Sequence, residues 1–375
     1  MNGPVNGAVL QVLPALVTGG VERGTLEIAE AIVAAGGRAF VASAGGALVE
    51  RLERLGARHV TLPLNTKNPF AILRNAASLG RLVRAERIGI IHARSRAPAW
   101  SALLAARRTG AHFVTTYHGT YNEGFPGKRL YNSVMARGER VIAISEYIAR
   151  HIAAHHPVAR NRLRVIPRGV DERLFDPALV PPERVAALRA RWQVPADRPV
   201  ILLPARLTRW KGQAVLVDAM ARLPGEAIAL LVGSGRRRYR DQLDAHIVAA
   251  GLEDRVRLIG HADDMPAALL LADVVVHAST DPEAFGRTVI EAQAMERPVI
   301  ASDLGAPRET VEHGVTGWRV PPDDPAALAT TLAQVLAMPP AARAAIGAAA
   351  RRQVLTRYTT RAMQDATLAV YRELR

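Results

Sequence analysis

Glu283 and Glu291 lie eight residues apart in Asp281-Pro282-Glu283-Ala284-Phe285-Gly286-Arg287-Thr288-Val289-Ile290-Glu291. The run Asp273-Val274-Val275-Val276-His277-Ala278-Ser279 ahead of them predicts a buried strand that runs out into a loop. Gly286 then opens a helix that carries Glu291 and Gln293 and stops before Pro298. The amides of Phe285, Gly286 and Arg287 are expected to point out of that helix start, where they and the dipole favour an anion such as phosphate. Gly286 has no side chain to block the approach. Helical rise puts the two carboxylates about 7–12 Å apart. Carboxylates on either side of a phosphate site suit a ligand with hydroxyls at both ends, the shape of a nucleotide sugar. The same spacing also arises by chance, so the neighbouring chemistry matters.

Arg206 and Lys211 supply it. They stand five residues apart in Pro204-Ala205-Arg206-Leu207-Thr208-Arg209-Trp210-Lys211-Gly212, directly after the apolar run Val200-Ile201-Leu202-Leu203. A guanidinium fork and an ammonium point charge at the end of a strand can clamp a diphosphate. A solvated basic loop has the same composition, and spacing alone does not separate the two.

The elements that must position these groups read as two series of alternating strands and helices. In the first half the strands are Val9 to Pro14, Arg38 to Ser43, Arg58 to Leu62, Gly89 to His92, His112 to Thr116 and Arg140 to Ile144. Helices fall between them, among them Val21 to Ala35, Arg96 to Arg108 and Ser145 to Ala154. Leu163 to Asp171 reads as an exit strand and linker. A second series runs through Pro199 to Leu203, Ala227 to Val232, Val256 to Ile259, Val274 to Ala278 and Val299 to Ala301. Such alternation predicts an α/β chain with doubly wound parallel sheets, whose ligands bind at the carboxyl ends of the strands. At those ends stand Val17-Thr18-Gly19-Gly20, His92-Ala93-Arg94-Ser95-Arg96 and Tyr117-His118-Gly119-Thr120 in the first half.

Composition narrows the classes. A chain of 375 residues suits two domains. The absence of cysteine removes disulfide and thiolate chemistry and is consistent with a cytoplasmic protein. The first residues lack a basic leader region, and no apolar run is long and uncharged enough to span a bilayer. Charge is lopsided: residues 1–170 hold 23 Lys and Arg against 9 Glu and no Asp, a balance of +14, and the remainder is near neutral. A basic half points to a polyanion or an anionic membrane surface. Nucleic acid is the rival partner, but aromatic residues are only 5% and no stacking or groove-reading motif is present, so none is expected. The glycines at 19, 20 and 24 only approximate a dinucleotide turn, and the second strand ends in Ala42-Ser43-Ala44 with no ribose-binding carboxylate, which makes a dehydrogenase a poor reading. No Asp-x-Asp pair is present, so no metal is implied.

The Glu283 stretch, with Pro298-Val299-Ile300-Ala301-Ser302 and Gly305-Ala306-Pro307-Arg308-Glu309 after it, resembles the Glu-x7-Glu signature of retaining glycosyltransferases of family 4. Arg206 to Gly212 is similar to that family's Arg-x4-Lys-Gly motif, Leu231-Val232-Gly233-Ser234-Gly235 to its glycine turn, and Leu258-Ile259-Gly260-His261 to its base-contacting segment. Ala306 departs from a second glycine often found there. The resemblance covers almost the whole chain. It implies the GT-B architecture, two Rossmann-like doubly wound domains facing across a cleft: 1–170 for the acceptor and 171–358 for the nucleotide sugar, with a C-terminal helix at about 359–375 returning to the first.

The resemblance also implies roles. Arg206 and Lys211 would hold the donor phosphates, Glu283 the sugar hydroxyls and Glu291 the ribose. Gly233, Ile259, Phe285, Gly286, Arg287 and Thr288 would line the donor site, with Gly19 and Gly20 approaching from the first domain. His118 would lie near the transferred sugar, although a lone histidine is more often structural. Arg94, Arg96, Lys128 and Arg129 are expected on loops that meet an anionic acceptor; a solvated basic face is the plain alternative. The implied reaction is retaining, metal-independent hexosyl transfer from a nucleoside-diphosphate sugar, a co-substrate, with no cofactor and no dedicated general base. The segments His92 to Trp100 and Lys128 to Met135 look like those of proteobacterial lipopolysaccharide core enzymes. An anionic glycolipid acceptor at the cytoplasmic face of the inner membrane, with GDP-mannose as donor, is the specific expectation. UDP-glucose with another glycan, or a nucleotide-sugar-binding protein or epimerase on the same scaffold, are the alternatives.

Overall fold

The run Ala8–Val12 (β1) is buried along its whole length, as a strand must be when helices cover both faces of its sheet. The structure, a computed structural model, describes residues 7–17, 19–121, 124 and 127–374. Thr18 of the first glycine loop, Arg375 at the end of the expected C-terminal helix and residues 1–6 lie outside these.

Six strands join β1 in one sheet: Arg38–Ser43 (β2), Arg58–Thr61 (β3), Ile88–Ala93 (β4), His112–Tyr117 (β5), Arg140–Ala143 (β6) and Leu163–Val165 (β7). All pairs are parallel, in the order β3-β2-β1-β4-β5-β6-β7. A second sheet contains Val200–Pro204 (β8), Ile228–Val232 (β9), Val256–Gly260 (β10), Val274–His277 (β11), Val299–Ser302 (β12) and Trp318–Val320 (β13). It is also parallel, ordered β10-β9-β8-β11-β12-β13. Both sheets are doubly wound and Rossmann-like, the pair of folds that defines GT-B. The strand β13 was not among the expected ones: it has three residues at the sheet edge, too short to show an apolar period.

The chain divides into two units, Met1–Arg168 with Thr360–Arg375, and Gly169–Thr359. In the first, Leu13, Leu26, Ile28 and Ile32 form the core with Met363, Leu368 and Tyr371 of the helix Thr360–Arg372. That helix is also tied by polar contacts. Tyr371 Oη lies 2.6 Å from His92 Nδ1, and His92 Nε2 lies 2.7 Å from Thr116 Oγ1. His92 is thus a satisfied core histidine joining β4, β5 and the last helix. Glu373 accepts from Arg140 at 2.5 Å and from Arg164 at 2.6 Å. In the second unit Ile201, Leu203, Leu216, Met220, Leu231 and Val276 pack with Leu328 and Leu332.

The strand order fixes where chemistry can gather. In each sheet the winding reverses at one place, between β1 and β4 and between β8 and β11. The loops that leave these neighbouring strands turn to opposite faces and leave a crevice at their carboxyl ends.

Candidate functional site

In the second unit, β8 and β11 are adjacent, with Ile201 paired to Val274 and Leu202 to Val275. The loop after β8 carries Arg206 and Lys211, and the loop after β11 carries Glu283, so the switch point brings together groups more than seventy residues apart. Lys211 Nζ donates to Glu283 Oε2. His277, the last residue of β11, places Nε2 3.4 Å from the same carboxylate oxygen. Burial alone would raise the Glu283 pKa, but the His277 hydrogen bond and the Lys211 charge outweigh it and hold the carboxyl at about 2. Glu283 is therefore an acceptor and not a proton donor at neutral pH.

Backbone geometry holds this cluster. Gly212 has φ +72° and lies against the Ala278 carbonyl, where no Cβ fits. The Thr280 amide donates to the Trp210 carbonyl at 2.8 Å. On the other side Gly305, at φ +70°, bridges to Glu283; a Cβ there would stand 2.5 Å from the Glu283 carbonyl oxygen. The Ala306 amide also donates to that oxygen at 2.9 Å, so Ala306 keeps the loop's closing hydrogen bond.

The helix Arg287–Ala294 follows, with Gly286 as its cap at φ +81°. The amides at its start with no carbonyl of the same helix to donate to are those of Gly286, Arg287 and Thr288, one residue later than the sequence suggested. Phe285 precedes the helix. Its ring is buried, edge-on to Tyr358 at 5.9 Å, and it anchors the loop through its side chain. Glu291, 6% exposed, lies 3.9 Å from Arg287 Nε one turn away. The loops of Arg206 and Gly233 run side by side: Leu207 donates to the Ser234 carbonyl at 3.0 Å, and Gly233, at φ +150°, leaves no room for a Cβ beside the Ala205 carbonyl. Ile259 lies on β10, next to the Gly260 carbonyl that accepts from the Gly233 amide at 2.7 Å. The structure thus gathers Arg206, Lys211, Gly233, Ile259, Phe285, Gly286, Arg287, Thr288, Glu283 and Glu291 at the carboxyl ends of β8 to β11.

In the first unit, Gly19 caps the helix Gly20–Ala34. Arg168 Nη2 donates to the Gly20 carbonyl, and the Arg168 guanidinium occupies the space where a Cβ of Gly24 would be. Arg94 follows β4 and continues its ladder, its amide donating to the Val12 carbonyl at 2.9 Å. This turns its side chain inward. The expectation that Arg94 lies on an open, acceptor-facing loop does not hold: it is 3% exposed, with Nε and Nη2 buried and without hydrogen-bond partners. Burial lowers its pKa to about 10 against the opposing pull of Tyr371, Glu27 and Glu22. His118 follows β5 with both ring nitrogens buried and unpartnered. Burial, then the charges of Arg168 and Arg94, push its pKa well below the ordinary histidine value, so the ring is neutral.

Arg96 and Lys128 do come together. They line a cavity of about 650 Å³ with Lys67, Ser95, Ala97, Gly127 and Tyr131. Arg96 donates to Asn132 Oδ1 at 2.8 Å and stacks 4.2 Å above the Tyr121 ring. An apolar cavity of about 440 Å³ adjoins it, sharing Lys67, Gly127 and Tyr131 and adding Ile72, Leu73, Trp100 and Leu130. Arg129 is elsewhere, with Nη2 3.4 Å from the His155 carbonyl. Lys128 and Arg129 belong to a one-turn helix, Lys128–Asn132, where a loop was expected.

Two site residues escaped the sequence. His277 reads as the end of a buried strand, and only its distance from Glu283 reveals it. Arg168 reads as a linker residue between Pro167 and Gly169; its place under Gly20 and Gly24 depends on a contact across almost the whole first unit.

Residues 18–174 match the family model "Glycosyltransferase Family 4" and residues 185–353 match "Glycosyl transferases group 1". A GDP-mannose-dependent alpha-(1-6)-phosphatidylinositol monomannoside mannosyltransferase of Mycolicibacterium smegmatis is 31% identical over 332 residues, covering 83% of each chain. The lipopolysaccharide core biosynthesis glycosyltransferase LpsE of Rhizobium meliloti is 34% identical over 153 residues, 41% of this chain and 44% of that one. A crystal structure of a glycosyltransferase from Rickettsia africae superposes with a TM-score of 0.92 at 36% identity, covering 100% of this chain and 99% of that one. The chain spans about half the length of the D-inositol 3-phosphate glycosyltransferases that it matches at 35% and 32% identity. Matched over both units, with the motif residues gathered at the switch points, the chain belongs to glycosyltransferase family 4.

Proposed function

We propose that the chain transfers a hexose, with GDP-mannose as the first donor to test, from a nucleoside diphosphate to a hydroxyl of an anionic glycolipid of the lipopolysaccharide-core kind, with retention of configuration and without a metal ion. The observation that carries this reading is the cluster of Lys211, His277 and Glu283 beside the helix start at Gly286. In the step proposed, the anomeric carbon–oxygen bond breaks and the diphosphate leaves with the electron pair. Arg206, Lys211 and the amides at Gly286 to Thr288 are fixed cations and dipoles for that charge, and such preorganised groups cost no reorganisation during reaction. Their positive charge would do the work that a divalent cation does when one stabilises a leaving phosphate. The acceptor oxygen attacks on the face that the diphosphate leaves, and its proton passes to the departing phosphate oxygen. Glu283, ionised, accepts hydrogen bonds from the sugar hydroxyls. Glu291 takes the ribose.

The acceptor half of the proposal is supported by the paired cavities of the first unit. A basic pocket joined to an apolar one suits an amphiphile with an anionic head, and LpsE offers a lipopolysaccharide-core relative. UDP-glucose is the second donor to test. Retention and metal independence are checked together: the purified chain with excess chelator, donor and a glycolipid acceptor should give an α-linked product by proton NMR at an undiminished rate. A β-linked product, or activity that returns only with a divalent cation, would overturn those parts of the proposal.

A further inference from the structure

The glycines at 19 and 24 have different reasons to be glycine. Gly19 caps the helix Gly20–Ala34 at φ +145°, a backbone state that other residues rarely adopt. Gly24 lies inside that helix, where glycine is a poorer choice than alanine. What excludes alanine there is Arg168: a Cβ on Gly24 would stand 2.6 Å from Arg168 Nη2 and 2.7 Å from Cζ. The end of an exposed arginine swings aside at little cost. This one is 4% exposed, and its Nη2 donates to the Gly20 carbonyl, so moving it breaks a hydrogen bond of a buried cation. Gly80, inside the helix Pro69–Ala85, shows the contrast: the nearest atom to a Cβ there is 3.7 Å away.

Arg168 is anchored from its other side as well. Ile166 extends β7, its amide donating to the Ala143 carbonyl at 2.9 Å, and its side chain is buried in the core of the first unit. Pro167 follows with its restricted φ, and Arg168 is the last residue of that unit. In the sheet three strands separate β7 from β1. The path of the chain after β7, and not strand pairing, therefore brings Arg168 to the turn that follows β1. The helix that starts there has no side-chain cap. The Arg168 guanidinium ties its first residue, Gly20, to the end of β7.

We propose that Arg168 is a positioning residue for the transfer: fixed through β7 and seated in the space that Gly24 leaves, it holds the Gly19-Gly20 turn where the turn meets the donor, without touching the donor itself. The proposal rests on the reading of Gly19 and Gly20 as donor-facing. Gly24 then belongs to the same device, and a pattern that only approximates a dinucleotide turn has its reason inside the first unit. Nucleotide affinity resides in Arg206, Lys211 and the helix start at Gly286, so a displaced turn slows transfer and leaves nucleotide binding alone.

The test measures release of GDP from GDP-mannose, or of UDP from UDP-glucose, with core-truncated lipopolysaccharide as acceptor, beside calorimetric affinity for the free nucleotide and thermal melting. Gly24→Ala should cut kcat by about tenfold or more, since about 1 Å of misplacement costs about 10²-fold, with nucleotide affinity within about twofold of native. Arg168→Ala should do the same. The two together should be no slower than Arg168→Ala alone and should melt higher than it, because the added methyl group then meets open space; changes that share one contact do not add. Gly80→Ala should melt higher than the native chain at unchanged kcat. Native-like kcat in Gly24→Ala, additive losses in the double variant, an equal loss in Gly80→Ala, or nucleotide affinity that falls with kcat would each overturn the proposal. Where Arg168→Ala does not fold, Gly24→Ala against Gly80→Ala still decides it. Failure of the donor reading is distinguishable: the native chain then binds neither nucleotide and releases neither, whereas failure of this proposal alone leaves both intact in the native chain.

Discussion

Glu283 concentrates the chemistry in one side chain. It is mostly buried, which on its own would favour the neutral acid, yet the His277 hydrogen bond and the Lys211 charge bring its carboxyl to about 2. The sign of the pH effect follows. A folded pKa below the ordinary carboxyl value of about 4.3 means that the stabilisation is present above that pH and disappears as pH falls from about 4.3 towards 2. Urea unfolding of the native chain should therefore lose more stability between neutral pH and pH 3 than Glu283→Gln does, by about 1–3 kcal/mol. The same substitution should cut turnover by about 10²–10³-fold with an unchanged near-ultraviolet circular dichroism spectrum. Near-normal turnover would remove Glu283 from the chemistry.

At the scale of elements, position depends on glycines that let two loops touch. Gly305 and Gly314 both have positive φ, +70° and +78°, but only Gly305 is crowded, by the carbonyl and amide of Glu283. Gly314→Ala should cost about 1 kcal/mol of backbone strain and leave turnover intact. Gly305→Ala adds a collision that must displace Glu283, and a shift of about 1 Å at a reacting group costs about 10²-fold; steady-state kinetics beside thermal melting separates the two effects. Much of this scaffold was legible in the sequence, because strands such as Val200–Pro204 and Val274–His277 are short, mainly apolar runs. Strand adjacency was not. That β8 lies against β11, and so Lys211 against Glu283, is a long-range pairing that no local period reports. For the same reason the burial of Arg94 was missed: its side chain turns inward through a hydrogen bond to β1, and the sequence records only its charge. The edge strand Trp318–Val320 was too short to leave a signal.

For the whole molecule, the asymmetry of charge survives folding. The +14 balance of residues 1–170 includes Lys67 and Lys128 at the basic cavity, next to exposed apolar side chains at Phe70, 81% exposed, and Leu130, 63% exposed. No helix of the described residues is long and apolar enough to cross a membrane. Lys67→Glu with Lys128→Glu should weaken sedimentation with anionic vesicles, most strongly at low salt where screening is least, and leave nucleotide-sugar affinity unchanged. Loss of nucleotide-sugar affinity instead would mean that donor and acceptor surfaces had been exchanged. The central claim, that the groups around Lys211 and Glu283 hold a nucleotide sugar, is tested most directly by a thermal-shift screen against GDP-mannose, UDP-glucose, ADP-heptose, NAD and a short oligonucleotide, on the native chain and on Lys211→Ala. One nucleotide sugar should raise the melting temperature of the native chain, through its binding to the folded state, and have little effect on the variant. A shift with NAD or the oligonucleotide alone, or one that Lys211→Ala leaves untouched, would contradict it.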